Sequence, residues 1–184
     1  VYPVDFAARG SCSIGGNIAT NAGGIRVIRY GNTREWIAGL KIVTGNGDVL
    51  ELNRALIKNS SGYDLRQLMI GSEGTLGIVV EATLRLTDPP PPTNVMLLAL
   101  PSFEMLMQVF AAFRERLTLE AFEFFTDRAL HHVLAHGAQK PFDEVHPFYV
   151  VTEFAVRDEA EEAAALAASE HCLENALVSD GAIS

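Results

Sequence analysis

The sequence predicts an α+β protein in two parts, and three observations carry that expectation. Residues 1–88 are glycine-rich, with short apolar runs. Pro89–Pro92 then interrupt the chain. Beyond them, strand-like and helix-like segments alternate regularly. Four consecutive prolines cannot continue a helix or a central strand, and they favour a stiff, extended connection. The expected organisation is therefore one unit over 1–88, a linker over 89–92 and a second unit over 93–184. The chain opens on VYPVDF without Met and ends inside the pattern LVSDGAIS, so it reads as a segment of a longer protein.

In the first part, Ile14–Asn21 suits one or two helical turns. Trp36–Thr44 reads as a strand. The turn 45–48 and a second strand, Val49–Leu52, follow. Asn-Gly between apolar runs signals a hairpin, because both positions tolerate positive φ. Tyr63–Ile70 has helical spacing, with Leu65, Leu68 and Met69 on one side, Asp64 as cap and Gly71 as stop. Ile78–Leu86 is β-branched and partly alternating, hence a strand. In the second part, Val95–Leu100 is a strand. Ser102–Arg116 is a helix carrying Phe103, Leu106, Met107, Phe110 and Phe113. Ala121–Phe125 is a strand, Asp127–Ala135 a helix, Phe148–Phe154 a strand and Asp158–Ala176 a long helix. This order predicts a small α+β module with helices on one face of a sheet. The acids 158–162 suit the positive end of the last helix.

Composition excludes several functions. There are 23 acidic against 14 basic residues, a formal charge of −9. No basic stripe exists for nucleic acid or an anionic membrane surface. No apolar run is long enough to span a bilayer. Cys12 and Cys172 form no disulfide framework, and a reducing cytoplasm fits them. His132 and His136 stand one helical turn apart beside His131, but no further ligand is near, so a solvated helix face is expected and no metal. His146 in its loop is expected to be structural or exposed. His171 and Cys172 are adjacent, so they do not face each other on a helix and make no nucleophile. Glu123 alternates with Phe122 and Phe124 and points away from them. A homodimer is left open.

Two glycine clusters carry the chemical signal. GSCSIGGNIATNAGG, residues 10–24, consists mostly of small residues and has no aromatic and no charged side chain, leaving the backbone uncovered. Gly15, Gly16, Gly23 and Gly24 let a ligand approach the backbone closely. Free N–H groups at the start of a helix there would favour an anion. Ser11, Ser13, Asn17, Thr20 and Asn21 add neutral hydrogen-bonding groups. There is no lysine, which excludes a nucleoside-triphosphate loop, and the spacing does not fit GxGxxG. GSEGTLG, residues 71–77, is the second cluster. Glu73 within it could accept from a ribose hydroxyl or brace the loop.

Those segments in order, GSCSIGGNIATNAGGIRVIRYG, LKIVTGNGDVLEL and SSGYDLRQLMIGSEGTLGIVVEATLRL before a proline junction, resemble the FAD-linked oxidases of the vanillyl-alcohol-oxidase (PCMH) type. Within that family the chain is most similar to the D-2-hydroxyacid dehydrogenases, the group that includes D-2-hydroxyglutarate and D-lactate dehydrogenases and the glycolate oxidase flavin subunit. The likeness continues more weakly through AFEFFTD and FYVVTEF. It implies that residues 1–88 are the second subdomain of a PCMH-type FAD-binding domain. Residues 93–184 would begin a ferredoxin-like α+β cap, or substrate, domain.

The cofactor implied is FAD. Pro3, Asp5 and the run Gly10, Ser11, Cys12, Ser13, Gly15, Gly16, Asn17, Ile18, Thr20 and Asn21 match the family's stretch along the flavin and pyrophosphate. Glu73, Gly74, Gly77 and Ile78 match the stretch around the adenosine half. Cys12 is a small packing residue in this picture rather than a covalent flavin anchor. The family's first flavin subdomain, its His/Gly/Asp/Asn motif and its carboxylate-binding Arg and Lys are missing, so no catalytic residue is expected here and the segment alone is expected to be inactive. The parent would be an oxidoreductase taking a small D-2-hydroxyacid to the 2-oxoacid, with hydride passing to flavin and electrons to an acceptor that the sequence does not name. An alcohol or ether-lipid precursor as substrate, or a non-catalytic binding domain, are the alternatives.

Overall fold

Ile37–Val43 alternates apolar side chains between two faces and forms β1, the central strand of a three-stranded antiparallel sheet ordered β2-β1-β3. β2 is Val49–Leu52 and β3 is Ile78–Leu84. The computed structural model describes residues 1–53 and 56–183. It separates into two compact units, Val1–Pro89 and the chain from Pro90 onward.

In the first unit, helix α1 (Ile14–Thr20) lays Ile18 on the sheet. With Ile37, Leu40, Ile42, Leu52 and Ile70 it forms the core. Two one-turn helices, α2 (Val27–Tyr30) and α3 (Thr33–Trp36), precede β1, and α3 takes the Trp36 that strand patterning assigns to β1. The β1–β2 turn also departs from the Asn-Gly expectation. Gly47 takes φ +87° and Asn46 does not take a positive φ. Thr44 closes a longer loop, its N–H donating to Asp48 O at 2.9 Å and its carbonyl accepting from Gly47 N at 3.0 Å.

Helix α4 (Leu65–Met69) corrects the expected apolar face. Leu65 and Leu68 are exposed, while Arg66 is buried. The Arg66 guanidinium donates to Ile37 O at 2.7 Å, Ala38 O at 3.0 Å and Asp64 Oδ2 at 2.6 Å. Asp64 therefore spends its carboxylate on Arg66 and makes no side-chain cap bond. Five residues are too few for apolar spacing to define a face, and two strand carbonyls needing donors decide which side turns in.

The second unit has a four-stranded antiparallel sheet ordered β5-β6-β4-β7. Its elements are β4 (Thr93–Leu100), a 3₁₀ turn (Phe103–Met105), α5 (Leu106–Arg116), β5 (Leu119–Thr126), α6 (Asp127–Leu134), β6 (Phe148–Ala155), α7 (Glu159–Glu174) and β7 (Asp180–Ile183). With α6 set aside, this is the β-α-β-β-α-β order of a ferredoxin-like module. β7 completes it and lacks the apolar run by which a strand is read from sequence. The expectation of helices on one face fails for α6. Leu98, Val150 and Phe154 face α5 and α7 across the main core, with Val109, Phe113, Ala165, Ala168 and Cys172. The alternate residues Ala99 and Tyr149 pack with Phe142 and with Leu130 of α6 on the opposite side. Alternation along a strand requires this split, because both sets are apolar. Of the apolar residues of the 102–116 segment, Phe103 and Met107 are exposed, while Leu106 and Phe113 are buried.

Helices α6 and α7 each start on a side-chain cap, whereas α5 has none. Thr126 Oγ1 accepts from Ala129 N at 3.3 Å, and Asp158 Oδ1 accepts from Glu161 N at 2.9 Å. Glu159, Glu161 and Glu162 occupy the first turn of α7, where the helix dipole favours them. Cys172 is fully buried, and burial pushes its thiol above the ordinary 9.0 against the opposing pull of Arg116. The neutral thiol is the form the fold prefers. Stability should therefore be level below the unfolded thiol's pKa and fall as pH rises beyond it through the folded one. In the native full-length protein Cys172 should resist iodoacetamide at pH 8, and it should react after denaturation, as read by peptide mass spectrometry.

Candidate functional site

The two glycine clusters, separated in sequence by residues 25–70, meet on one groove of about 300 Å³. Gly15, Gly16 and Ala19 of α1 form one side. Met69 and Ser72 join Gly74, Gly77, Ile78 and Val79 to form the other. Helical period explains the α1 set. At 100° per residue, positions 15, 16 and 19 share a face, and 17 and 18 turn away from it.

Backbone hydrogen bonds hold the two sides together. Gly71 N donates to Ile18 O at 3.0 Å and Glu73 N to Ala19 O at 2.8 Å. Ala19 O and Ile18 O, the latter also accepting from the cap Asn21 N at 3.2 Å, thus take donors from the second glycine turn. That turn is left-handed at Gly71 (φ +83°), Glu73 (φ +53°) and Gly74 (φ +77°). At Gly15 and Gly74 an added Cβ would meet nothing within 4 Å. The main chain is therefore bare toward the groove, as close approach of a flat or phosphorylated ligand requires.

The remaining expected site residues have other surroundings. Pro3 is buried. Asp5 pairs with Arg9 at 2.7 Å, and its carbonyl accepts from Ile25 N at 3.2 Å. Gly10, Ser11, Cys12 and Ser13 form an exposed approach to α1. Ser13 Oγ accepts from Gly16 N at 3.1 Å, so one first-turn amide expected to face outward is already bonded. Asn17 is buried and its Nδ2 donates to Cys12 Sγ at 3.6 Å. Ile18 is fully buried in the core. Thr20 Oγ1 donates to Gly16 O at 3.0 Å. Asn21 caps α1 in the left-handed region (φ 49°, ψ 52°), and its Oδ1 accepts from Arg34 N at 3.0 Å.

Tyr2 stands next to this segment, 3.0 Å from Thr33 Oγ1. Burial pushes its phenol above the ordinary 10.0, and bonds to Thr33 and Asn17 oppose the shift. Ala19, Met69, Ser72 and Val79 were not singled out in the sequence. Ala19 was recoverable, lying four residues after Gly15 and three after Gly16.

The first part of the chain, residues 1–53, matches the family model described as "FAD binding domain". Residues 89–184 match the model described as "FAD linked oxidases, C-terminal domain". The chain belongs to the FAD-linked oxidases. It is 83% identical over its whole length to a D-2-hydroxyglutarate dehydrogenase of Xanthomonas citri pv. viticola, of which it covers 39%. It is 56% identical over its whole length to the enzyme of that name from Stutzerimonas stutzeri, covering 40%. Against the mitochondrial D-2-hydroxyglutarate dehydrogenase of Bos taurus it is 42% identical and covers 34%. The chain thus spans about two fifths of the length of the bacterial relatives. Among solved structures, an alkyldihydroxyacetonephosphate synthase superposes over 99% of this chain and 36% of its own, with TM-score 0.72 at 18% identity. That likeness shows a shared fold.

The groove suits part of an FAD. Its volume lies at the small end of ligand pockets, which run from about 300 to 1,000 Å³. Its glycines supply uncovered main chain, while Ala19, Met69, Ile78 and Val79 supply apolar surface. Among the described residues no group of three or more His, Cys, Asp or Glu side chains is placed to hold a metal ion. His136 lies beyond the end of α6, and its Nδ1 is 2.7 Å from His132 O. His146 is buried, its ring edge-on to Phe142 and Tyr149. Glu123 is exposed. Among the described residues no helix is long and apolar enough to cross a membrane.

Proposed function

We propose that the chain is the part of an FAD-dependent D-2-hydroxyacid dehydrogenase that provides one wall of the cofactor site and the start of the cap domain. D-2-hydroxyglutarate is the favoured substrate. Residues 1–88 are read as the C-terminal part of the FAD-binding domain and 93–184 as the N-terminal part of the cap. The observation that carries the proposal is the groove, where the start of α1 and the second glycine turn leave bare main chain at Gly15 and Gly74 beside apolar side chains. The relatives' shared name supports the substrate.

Bound FAD would accept the hydride from the substrate's α-carbon. The work of this chain is to bind and orient. Gly15, Gly16 and Gly74 let the cofactor lie against the backbone, whereas Gly77 makes room for the Val43 carbonyl, which an added Cβ would approach to 2.9 Å. Met69, Ile78 and Val79 exclude water along that contact. Pro3, Asp5, Gly10–Ser13, Asn17, Ile18, Thr20 and Asn21 shape α1 and its approach, and Glu73 holds the second turn through its N–H. The catalytic base and the electron acceptor lie outside the chain. Two unpaired cysteines, one exposed and one buried, fit the reducing cytoplasm that we propose for a bacterial-type enzyme; the cattle relative is a mitochondrial protein.

The test is made on the full-length protein. It should purify with a flavin absorbance spectrum and reduce an artificial electron acceptor with D-2-hydroxyglutarate at least tenfold faster than with its L-enantiomer or D-lactate. A colourless protein that takes up no added FAD would overturn the cofactor assignment. Flavin bleaching only by an alcohol, or by D-lactate in preference, would overturn the substrate.

A further inference from the structure

We propose that Arg34, which belongs to neither glycine cluster, is a positioning residue for FAD: it clasps the two sides of the groove together. The inference rests on the FAD reading above. Arg34 lies in the one-turn α3 and is half-buried. Its backbone N–H donates to Asn21 Oδ1 at 3.0 Å, at the end of α1. Its guanidinium reaches the end of α4. Nη1 donates to Gln67 O at 2.6 Å and Gln67 Oε1 at 2.8 Å, and Nη2 to Ile70 O at 2.8 Å. The carbonyls at a helix end have no partner within the helix, and a cation there is also favoured by the dipole.

One residue therefore holds both helix ends from which the groove is built. Ile70 is followed at once by Gly71, whose N–H bonds Ile18 O. An added Cβ at Gly71 would stand 3.3 Å from Asn21 Cβ and 3.5 Å from Arg34 Nη2. The guanidinium thus fixes where the left-handed turn from Gly71 to Gly74 begins, and so the width between Gly74 and Gly15. The planar fork is necessary for this. A lysine ammonium is a single point that cannot serve Gln67 O and Ile70 O in the same fixed directions.

The experiment is equilibrium FAD titration of the apo full-length protein with Arg34→Lys and Arg34→Met, followed by flavin fluorescence and visible circular dichroism. Leu52→Ala, in the same core but outside the groove, controls for loss of stability alone. Arg34→Lys should weaken FAD about tenfold, corresponding to about 1.4 kcal/mol, and Arg34→Met at least as much. Both should alter the dichroism of the bound flavin. Leu52→Ala should lower the thermal midpoint and leave the FAD affinity within twofold at temperatures where the protein is folded. Arg34→Lys keeps the charge and most of the packing, so it decides the outcome if Arg34→Met does not fold. Wild-type affinity and dichroism in Arg34→Lys would overturn the inference while leaving the FAD reading intact. Failure of the wild-type protein itself to bind FAD would overturn that reading instead.

Discussion

Gly15→Leu should abolish most FAD binding by the full-length protein while leaving its fold as stable as before or more so. The two expectations come from different physics. Gly15 lies inside α1, and a helix interior prefers Leu to Gly by roughly 0.8 kcal/mol. A Cβ at this position would meet nothing within 4 Å, so the new side chain leaves the backbone without a clash at its root. It would instead fill the groove that Gly15 lines. An isobutyl group occupying the cofactor's place should weaken FAD by about 100-fold or more, corresponding to about 2.7 kcal/mol. Gly45 is also open at Cβ but sits in the β1–β2 turn and does not line the groove. Gly45→Leu should therefore keep wild-type FAD affinity. Titration with FAD and a thermal melt of each variant check both halves. A Gly15→Leu protein that binds FAD normally would show that α1 does not face the cofactor.

Gly24→Ala should act in the opposite way, through stability. A Cβ there would lie 1.8 Å from the Asp5 carbonyl oxygen and 2.6 Å from its carbon. Both are backbone atoms, and the Asp5 carbonyl is already fixed by the Ile25 N–H at 3.2 Å. No side chain can swing aside, so the N-terminal segment must move away from the turn. Overpacking of this kind costs about 3 kcal/mol. Gly23 next to it makes the comparison. Its added Cβ would meet Asn32 Oδ1 at 2.7 Å and Val27 Cγ2 at 3.0 Å, both side-chain atoms that can shift. Gly23→Ala should cost about 1 kcal/mol. Denaturant midpoints give the ranking, and limited proteolysis should cut Gly24→Ala between residues 1 and 25. Equal stability of the two variants would contradict the packing given for Asp5.

The strands were legible in the sequence because their signal is local. Ile37–Val43 and Phe148–Ala155 show apolar residues on both faces, and β-branched residues mark Ile78–Leu84. What stayed hidden depends on distant partners. Arg66 turns inward because Ile37 O and Ala38 O need donors, and nothing in YDLRQLMI announces those carbonyls. α6 packs opposite α5 and α7 because the connection between β5 and β6 leaves it there, and helical spacing alone does not choose a face of the sheet. β7 is recruited by the free edge of β4, with Leu98 opposite Gly181.

The site divides in the same way. Small residues at 15, 16, 74 and 77 are visible as composition. Their meeting is not, because it depends on Gly71 and Glu73 bonding to Ile18 and Ala19, and on Arg34 reaching Gln67 and Ile70. Ile18 and Asn17 look like the glycines around them in a list of site residues. The 100° helical step sends both into the interior.

The most direct test is a crystal structure of the full-length protein with FAD bound. The account predicts cofactor atoms within about 4 Å of the main chain at both Gly15 and Gly74, with Met69 and Ile78 in van der Waals contact. FAD bound elsewhere, with α1 and the second glycine turn packed against protein or facing only water, would contradict it.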